Sequence, residues 1–114
     1  MNVIYMDKNF KKVNADEMRA IRKGVDKLRD KISQYEHDGI PFEQIYNDDS
    51  VKYDVLGNNY YTYKSQTQRF PLRILYRFIR EGKDCILQIH MSYIKKYNDK
   101  RYIDMFSKYA SSCH

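Results

Sequence analysis

The stretch from Leu72 to Tyr97, LRILYRFIREGKDCILQIHMSYIKKY, decides how this chain folds. Its first half alternates between two sets of side chains, Leu72, Ile74, Tyr76 and Phe78 against Arg73, Leu75, Arg77 and Ile79. A period of two indicates a β-strand, because successive side chains leave a strand on opposite faces. Glu81-Gly82-Lys83 is typical of a turn, in which a glycine adopts a positive φ without strain. The stretch therefore predicts a β-hairpin followed by a basic, aromatic exit.

The return strand of this hairpin also divides into two faces. One face comprises Cys85, Leu87, Ile89 and Met91, and the other comprises Ile86, Gln88, His90 and Ser92. Arg73 and Arg77 share one face of the first strand, but the sequence does not give the register between the strands. If the arginines and His90 coincide, cations and an imidazole lie together on the surface opposite the apolar side.

Length and composition are those of one domain, spanning residues 1–114. There is no run of about 18 apolar residues and no apolar leader at the N-terminus, so we expect neither a membrane span nor a secretion signal. Two cysteines, Cys85 and Cys113, are too few for a disulfide framework. We therefore expect a cytoplasmic protein, with Cys85 as a small buried apolar side chain.

The net charge of +6 favours an anionic partner, with nucleic acid first and an acidic protein second. A generic basic surface would account for the charge equally well. Tyrosine is abundant, at twelve residues with no tryptophan. Tyrosines that lie among cations can stack on nucleic-acid bases. For most of the twelve, however, we expect a packing role in strands and in the core.

The N-terminal part of the sequence indicates one extended segment followed by helices. Asn2 to Phe10 is expected to form an edge strand or an extended arm. From Asn14 to Tyr35 apolar residues recur every three or four positions, and Asn14 with Glu17 forms a capping pattern. Within this helix Gly24 marks a close approach of another backbone, and Gly39 ends the helix. Pro41 opens a second, shorter helix.

Strand patterns follow, and then a last helix. Val51 to Val55, Tyr61 to Tyr63 and the central hairpin alternate with short turns, which predicts an antiparallel sheet. Asn98 or Asp99 caps a C-terminal helix with an apolar stripe. The sequence thus predicts an α+β fold, in which an antiparallel sheet of three to four strands carries two N-terminal helices packed on one face and a C-terminal helix.

Three short motifs resemble the RelE/ParE toxin superfamily, and within it the phage-derived HigB-like group. They are Tyr63-Lys64 at a strand end, Leu72-Arg73-Ile74-Leu75-Tyr76-Arg77, and His90-Met91-Ser92-Tyr93-Ile94-Lys95-Lys96 before the final helix. Lys64 stands where relatives carry arginine, and Thr62 stands where many carry glutamate. The missing carboxylate removes one candidate base.

The resemblance implies a RelE-like fold and a ribosome-dependent endoribonuclease that cleaves messenger RNA without a metal or other cofactor. It also implies a cognate antitoxin, which we expect to be acidic where it contacts this cationic chain. Some relatives instead bind DNA gyrase and cut nothing. Three readings stay open, namely the nuclease, the gyrase inhibitor, and a basic phage or plasmid protein without toxicity.

Metal-free RNA cleavage requires a base, an acid and cations that hold the phosphorane charge. We predict Arg73, His90 and Lys95 as catalytic residues, because a forked guanidinium suits a phosphate and an imidazole titrates near neutrality. The predicted RNA-binding residues are Lys64, Arg77, Lys96 and Tyr93. The competing interpretations are an exposed strand arginine, a satisfied histidine, a solvated basic loop and a tyrosine that packs that loop.

Overall fold

The computed structural model describes residues 1–6, 8–41, 52–55, 58–66, 71–94 and 100–112 of the 114. The elements in chain order are strand β1 (Asn2–Tyr5), a 3-10 helix (Lys8–Lys12), helix α1 (Ala15–His37), strands β2 (Lys52–Val55), β3 (Asn58–Gln66), β4 (Pro71–Glu81) and β5 (Asp84–Ile94), and helix α2 (Arg101–Ser112). The chain is therefore an α+β protein, as its pattern predicts. Neither described helix is long and apolar enough to cross a membrane.

The five strands form one sheet in the order β1-β5-β4-β3-β2. Strands β2 to β5 are antiparallel neighbours, but β1 lies parallel to β5 at the edge of the sheet. The prediction of a purely antiparallel sheet of three to four strands was therefore wrong. Because β2 to β5 alternate in direction, β1 runs in the same direction as β3 and β5 and opposite to β2, the strand that follows α1.

The arrangement of helices also differs from the prediction. In the described part of the chain one α-helix precedes β2, rather than two helices packed together on one face. The second helix was predicted to begin at Pro41, and all of it after that residue lies outside the described residues. The predicted C-terminal helix is present as α2.

Helix α1 begins as its sequence predicts. The Asn14 side chain accepts a hydrogen bond of 2.9 Å from the Glu17 backbone N–H, which satisfies one of the free donors of the first turn. Gly39 follows the helix with a φ of 70°. At Gly24 the helix lies directly on the sheet, since a Cβ there would be 2.7 Å from Ser65 Oγ and 3.0 Å from Ser65 Cβ. A close approach is thus present at Gly24, but it is to the side chains of Ser65 and Ile74 and not to another backbone as predicted.

Helices cover the sheet on both sides, which creates two cores. We call these the α1 face and the α2 face of the sheet. On the α1 face the buried core comprises Ala20, Ile21, Val25, Leu28 and Ile32 of the helix with Tyr61, Leu72, Ile74, Tyr76, Leu87 and Ile89 of the sheet. On the α2 face it comprises Tyr60, Leu75, Tyr102, Phe106 and Ala110. The hairpin is thus buried on both faces rather than on one.

A β-bulge interrupts the pairing of β4 with β5. Leu75 pairs with Met91 and Tyr76 pairs with Ile89, so His90 is the extra residue on β5. Because one additional residue shifts the alternation of faces, Met91 joins the core of the α2 face. The prediction that Met91 shares a face with Leu87 and Ile89 was therefore wrong.

Candidate functional site

Arg73 lies on the α2 face near the start of β4 and is 7% exposed. One of its guanidinium nitrogens, Nη1, donates a hydrogen bond of 3.1 Å to the carbonyl oxygen of Leu72. The guanidinium carbon lies 5.6 Å from the centre of the Tyr102 ring, which places the cation over the aromatic face. Among the described residues no carboxylate forms an ion pair with this guanidinium. It is thus a buried cation without an anionic neighbour in that part of the chain.

A row of polar side chains crosses the sheet at Arg73. Lys64 of β3 pairs with Arg73 on one side, and Tyr93 of β5 pairs with it on the other. Lys64 is half-buried, and the Tyr93 ring lies 6.2 Å from the Tyr102 ring. We call these three side chains, Lys64, Arg73 and Tyr93, the Arg73 row. The row places two predicted cations side by side, at the end of the sheet where α2 begins.

His90 occupies the bulge on β5 and is 4% exposed. Its Nδ1 lies 3.1 Å from the hydroxyl oxygen of Tyr109 on α2, and its Nε2 lies 3.1 Å from Oε1 of Gln88. Since Gln88 Oε1 can only accept a hydrogen bond, Nε2 donates to it, and Nδ1 shares the other hydrogen bond with the Tyr109 hydroxyl. The Tyr60 ring packs edge-on against the imidazole at 5.1 Å. His90 therefore faces α2, between Tyr60 of the sheet and Tyr109 of the helix.

Arg77 continues the same face beyond the bulge. It pairs with Gln88 across the strands, and its guanidinium carbon lies 5.1 Å from the centre of the Tyr60 ring. The register therefore resolves what the sequence leaves open: Arg73, Arg77, Gln88 and His90 do share a face. Arg77 is half-buried, so it is more accessible than Arg73.

Arg73 and His90 share this face without meeting at one point. With a rise of about 3.3 Å per residue and strands about 4.8 Å apart, their Cα atoms are about 10 Å from each other. Leu75, which is fully buried in the core of the α2 face, occupies the row between them. Helix α2 covers both residues, with Tyr102 over the guanidinium and Tyr109 on the imidazole. The expected open surface of cations is a covered seam between sheet and helix.

Two predicted site residues cannot be placed. Lys95 and Lys96 lie outside the described residues, between the end of β5 and the start of α2. The described cations at that end of the sheet are Lys64 and Arg73 together with Lys100 and Arg101, which are exposed at the start of α2.

Sequence reasoning overlooked the aromatic side chains that complete the seam. Tyr60 contacts both His90 and Arg77, and Tyr102 covers Arg73. The tyrosine-rich composition was the signal for them, but the period of the C-terminal helix predicts Tyr102 as part of an apolar stripe, and Tyr109 as either part of that stripe or a ring that stacks on a base. A further polar group on this face is the hydroxyl of Thr62, which is buried and has no hydrogen-bond partner in the described part of the chain.

No group of three or more potential metal ligands converges among the described residues. The seam instead offers hydrogen-bond donors and one imidazole. A guanidinium and an ammonium side by side in the Arg73 row can hold a phosphate, and a histidine can take or give a proton. With α2 in place, however, the guanidinium and the imidazole face aromatic rings rather than solvent.

A second polar cluster lies on the other side of the sheet. Cys85, half-buried rather than buried as predicted, places its sulfur 3.7 Å from Oε1 of Glu36, and Arg80 forms an ion pair of 3.0 Å with the same oxygen. Loss of hydration and the Glu36 carboxylate raise the pKa of the Cys85 thiol above its ordinary value. Such a thiol is a poor nucleophile near neutral pH.

Comparisons of the chain with models of protein families, with curated protein sequences and with solved structures find no match.

Proposed function

We propose that this chain is the toxin of a type II toxin–antitoxin system, a RelE-like, metal-independent endoribonuclease that cleaves messenger RNA on the ribosome. The observation that carries the proposal is the Arg73 guanidinium, which is buried on the same face as His90 without a carboxylate partner among the described residues. Arg73 and His90 are also the residues at which the sequence resembles the toxin motifs. The support for the proposal is thus the burial of an arginine without an ion-pair partner among the described residues, together with the resemblance of the sequence motifs to those of the toxins.

A buried guanidinium is costly unless an anion or several hydrogen bonds compensate it. Removing a charge from water costs several kcal/mol, whereas within the described residues Arg73 makes one hydrogen bond, to Leu72, and one contact, with the Tyr102 ring. Protein interiors ordinarily pair such a cation. A phosphate that displaces Tyr102 from the guanidinium would supply the missing negative charge in a bidentate geometry.

The proposed reaction uses the residues in separate roles. The 2′-oxygen of the nucleotide bonds to phosphorus as the bond from phosphorus to the 5′-oxygen breaks, which leaves a cyclic phosphate. His90 takes the proton of the 2′-hydroxyl or gives one to the leaving 5′-oxygen, and solvent water accepts or supplies the other proton, while Arg73 holds the phosphorane charge. Lys64 holds an adjacent phosphate. Lys95 and Lys96, which follow β5 in the sequence, complete the proposal as a catalytic and an RNA-binding lysine.

This chemistry requires α2 to move. RNA reaches Arg73 only when the Tyr102 ring leaves it, and His90 becomes available only when Tyr109 does. Helix α2 holds to the sheet through a small core, Phe106 and Ala110 on Tyr60 and Leu75. The proposed partners are messenger RNA on the ribosome and an antitoxin with an acidic contact surface.

A non-catalytic function is the second candidate, either as a gyrase inhibitor or as a basic binding protein without toxicity. The observation that favours it is the cover over Arg73 and His90, both of which are less than 10% exposed. In this alternative the cationic end of the sheet binds an anionic surface, and the buried seam only fixes α2.

Inducible expression of three chains separates these functions. The chains are the wild type, Arg73→Met, and the control Arg80→Met. Arg80 lies on the same strand and also over an aromatic ring, Phe78 at 5.5 Å, but it is exposed. Circular dichroism first confirms that each chain folds. Growth is then followed, and the 5′ ends of cellular RNA are mapped.

The nuclease predicts new RNA ends with the wild type and with Arg80→Met, and their loss with Arg73→Met. Growth arrest without new ends would instead support gyrase inhibition, which DNA supercoiling would then report. No arrest with any folded chain would leave the non-toxic binding protein. New ends that persist at full level in Arg73→Met would refute the role of the guanidinium.

A further inference from the structure

Strand β1 forms an edge of the sheet that lacks the usual protection. It pairs with β5 on one side only. Natural edge strands commonly carry a charge or a proline that discourages another strand from pairing. The four residues of β1, NVIY, contain neither.

The outer backbone groups of β1 lack partners in the described part of the chain. Met6 donates its N–H inward to the carbonyl of Ile89 at 2.7 Å. Because alternate residues of a parallel strand face the neighbouring strand, Val3 and Tyr5 direct their N–H and C=O groups outward. Two backbone N–H donors and two C=O acceptors along this edge are therefore available to pair with a further strand.

Exposed apolar side chains concentrate at the same edge. Of the four large apolar side chains that are exposed among the described residues, three are Met1, Ile4 and Met6, at 39%, 43% and 44%. The fourth, Met105, lies on α2 at 40%. Ile4 pairs with Gln88, so it lies on the α2 face, whereas Val3 and Tyr5 pack against the core of the α1 face. The apolar side of this edge is thus its α2 side.

The other side of the edge is cationic. Burial raises the pKa of the Tyr5 hydroxyl, Arg22 and Arg29 of α1 oppose that rise, and Asp26 adds to it, so two cations and one carboxylate lie near this side chain. Arg29 forms an ion pair of 3.5 Å with Asp26, whereas Arg22 is exposed and forms no ion pair within the described residues. A strand beside β1 would therefore meet positive charge on its α1 side. A second copy of this chain would bring the same arginine and a net charge of +6, so it is disfavoured.

We propose that the outer edge of β1 binds an extended segment of a partner protein in which acidic and apolar residues alternate. The segment adds a sixth strand to the sheet by hydrogen bonds to Val3 and Tyr5. Its acidic side chains point to the α1 side, towards Arg22, and its apolar side chains point to the α2 side, beside Ile4. This docking does not depend on RNA cleavage, because Arg73 and His90 take no part in it.

The test uses a synthetic peptide of about eight residues that alternates glutamate and valine, long enough to span a short strand. A peptide that alternates lysine and valine is the charge control. Amide hydrogen exchange of the full chain, read by NMR, reports the backbone directly. The variants are Ile4→Gln and Arg22→Gln, with Met105→Gln as the matched control at an equally exposed apolar side chain.

We expect the acidic peptide to slow exchange at the amides of Val3 and Tyr5, and Ile4→Gln and Arg22→Gln each to weaken binding by about fivefold or more. Met105→Gln should bind like the wild type. Unchanged exchange at both amides in millimolar acidic peptide would overturn the proposal. Equal binding of the lysine peptide would do so as well, and so would protection of these amides by self-association without any peptide.

Discussion

Replacing Arg73 by methionine should stabilise the fold while removing the proposed activity. Methionine keeps an unbranched side chain under Tyr102 and leaves no buried charge. The guanidinium gains about 1.5–3 kcal/mol from its charge-assisted hydrogen bond to the Leu72 carbonyl and about 0.5–2 kcal/mol from the ring. Against these gains stands a desolvation cost of several kcal/mol for a cation that is 7% exposed.

The balance predicts that Arg73→Met raises the free energy of unfolding by about 1–3 kcal/mol, as replacement of other buried charges by apolar side chains has done. In a chain of this size each kcal/mol moves the thermal midpoint by about 4 °C. Urea titration and thermal melts followed by circular dichroism measure both quantities. Arg80→Met is the control, and it should change stability by less than about 1 kcal/mol, because the ion pair of Arg80 with Glu36 lies largely at the surface.

Inorganic phosphate gives the same comparison a second readout. At ten times its dissociation constant, an anion that binds the folded wild type adds about 1.4 kcal/mol to its stability. Arg73→Met should lack this increment. The reasoning is refuted if Arg73→Met lowers the free energy of unfolding by 1 kcal/mol or more. The guanidinium would then be a structural support for α2, and its burial would no longer indicate an anion site.

Two further changes test the packing and the second polar cluster. Gly24→Ala gains about 1 kcal/mol of helix propensity but should lose more, because its Cβ would lie 3.0 Å from the Cβ of Ser65, which the β3 backbone holds in place. Urea titration should show that Gly24→Ala lowers the free energy of unfolding by about 1 kcal/mol, and by less in a Ser65→Ala background. A higher free energy of unfolding in the single variant would show that the helix can shift away from the sheet. At Cys85 the raised pKa predicts slow reaction with iodoacetamide near pH 8, and Glu36→Gln should speed it, measured in a chain where Cys113 is serine. The same shift means that the stabilising effect of the bound proton is present below the ordinary thiol pKa and is lost as the pH rises through the raised one. An unchanged alkylation rate in Glu36→Gln would show that the carboxylate does not control the thiol.

The hairpin and both described α-helices could be predicted from the sequence because their patterns are local. The alternation from Leu72 to Phe78, the cap at Asn14 and the positive φ of Gly82, at 61°, all agree with the structure. The position of β1 could not be predicted, since four residues carry no signal for a parallel partner that lies about eighty residues away.

The candidate site was harder to predict than the strands. The sequence places Arg73 and Arg77 on one face, but it does not show that α2 would pack over that face. A tyrosine has an apolar ring and a polar hydroxyl, so it is suited both to a buried position and to an exposed one. The spacing of Tyr102 and Tyr109 is therefore the same whether α2 packs over the sheet or presents this stripe to solvent. The distinction depends on tertiary packing, which periodicity does not encode.

The single surplus residue at position 90 allows two consecutive side chains, His90 and Met91, to lie on the same face of β5. Because Met91 already pairs with Leu75, deleting His90 would restore regular alternation and keep Tyr93 and Ile94 on their present faces. The deletion would remove the imidazole beneath α2 without turning the rest of the strand over. Loss of Ser92, by contrast, would reverse the faces of the residues that follow it, so we expect the strand to tolerate a change of length at the bulge and not beyond it.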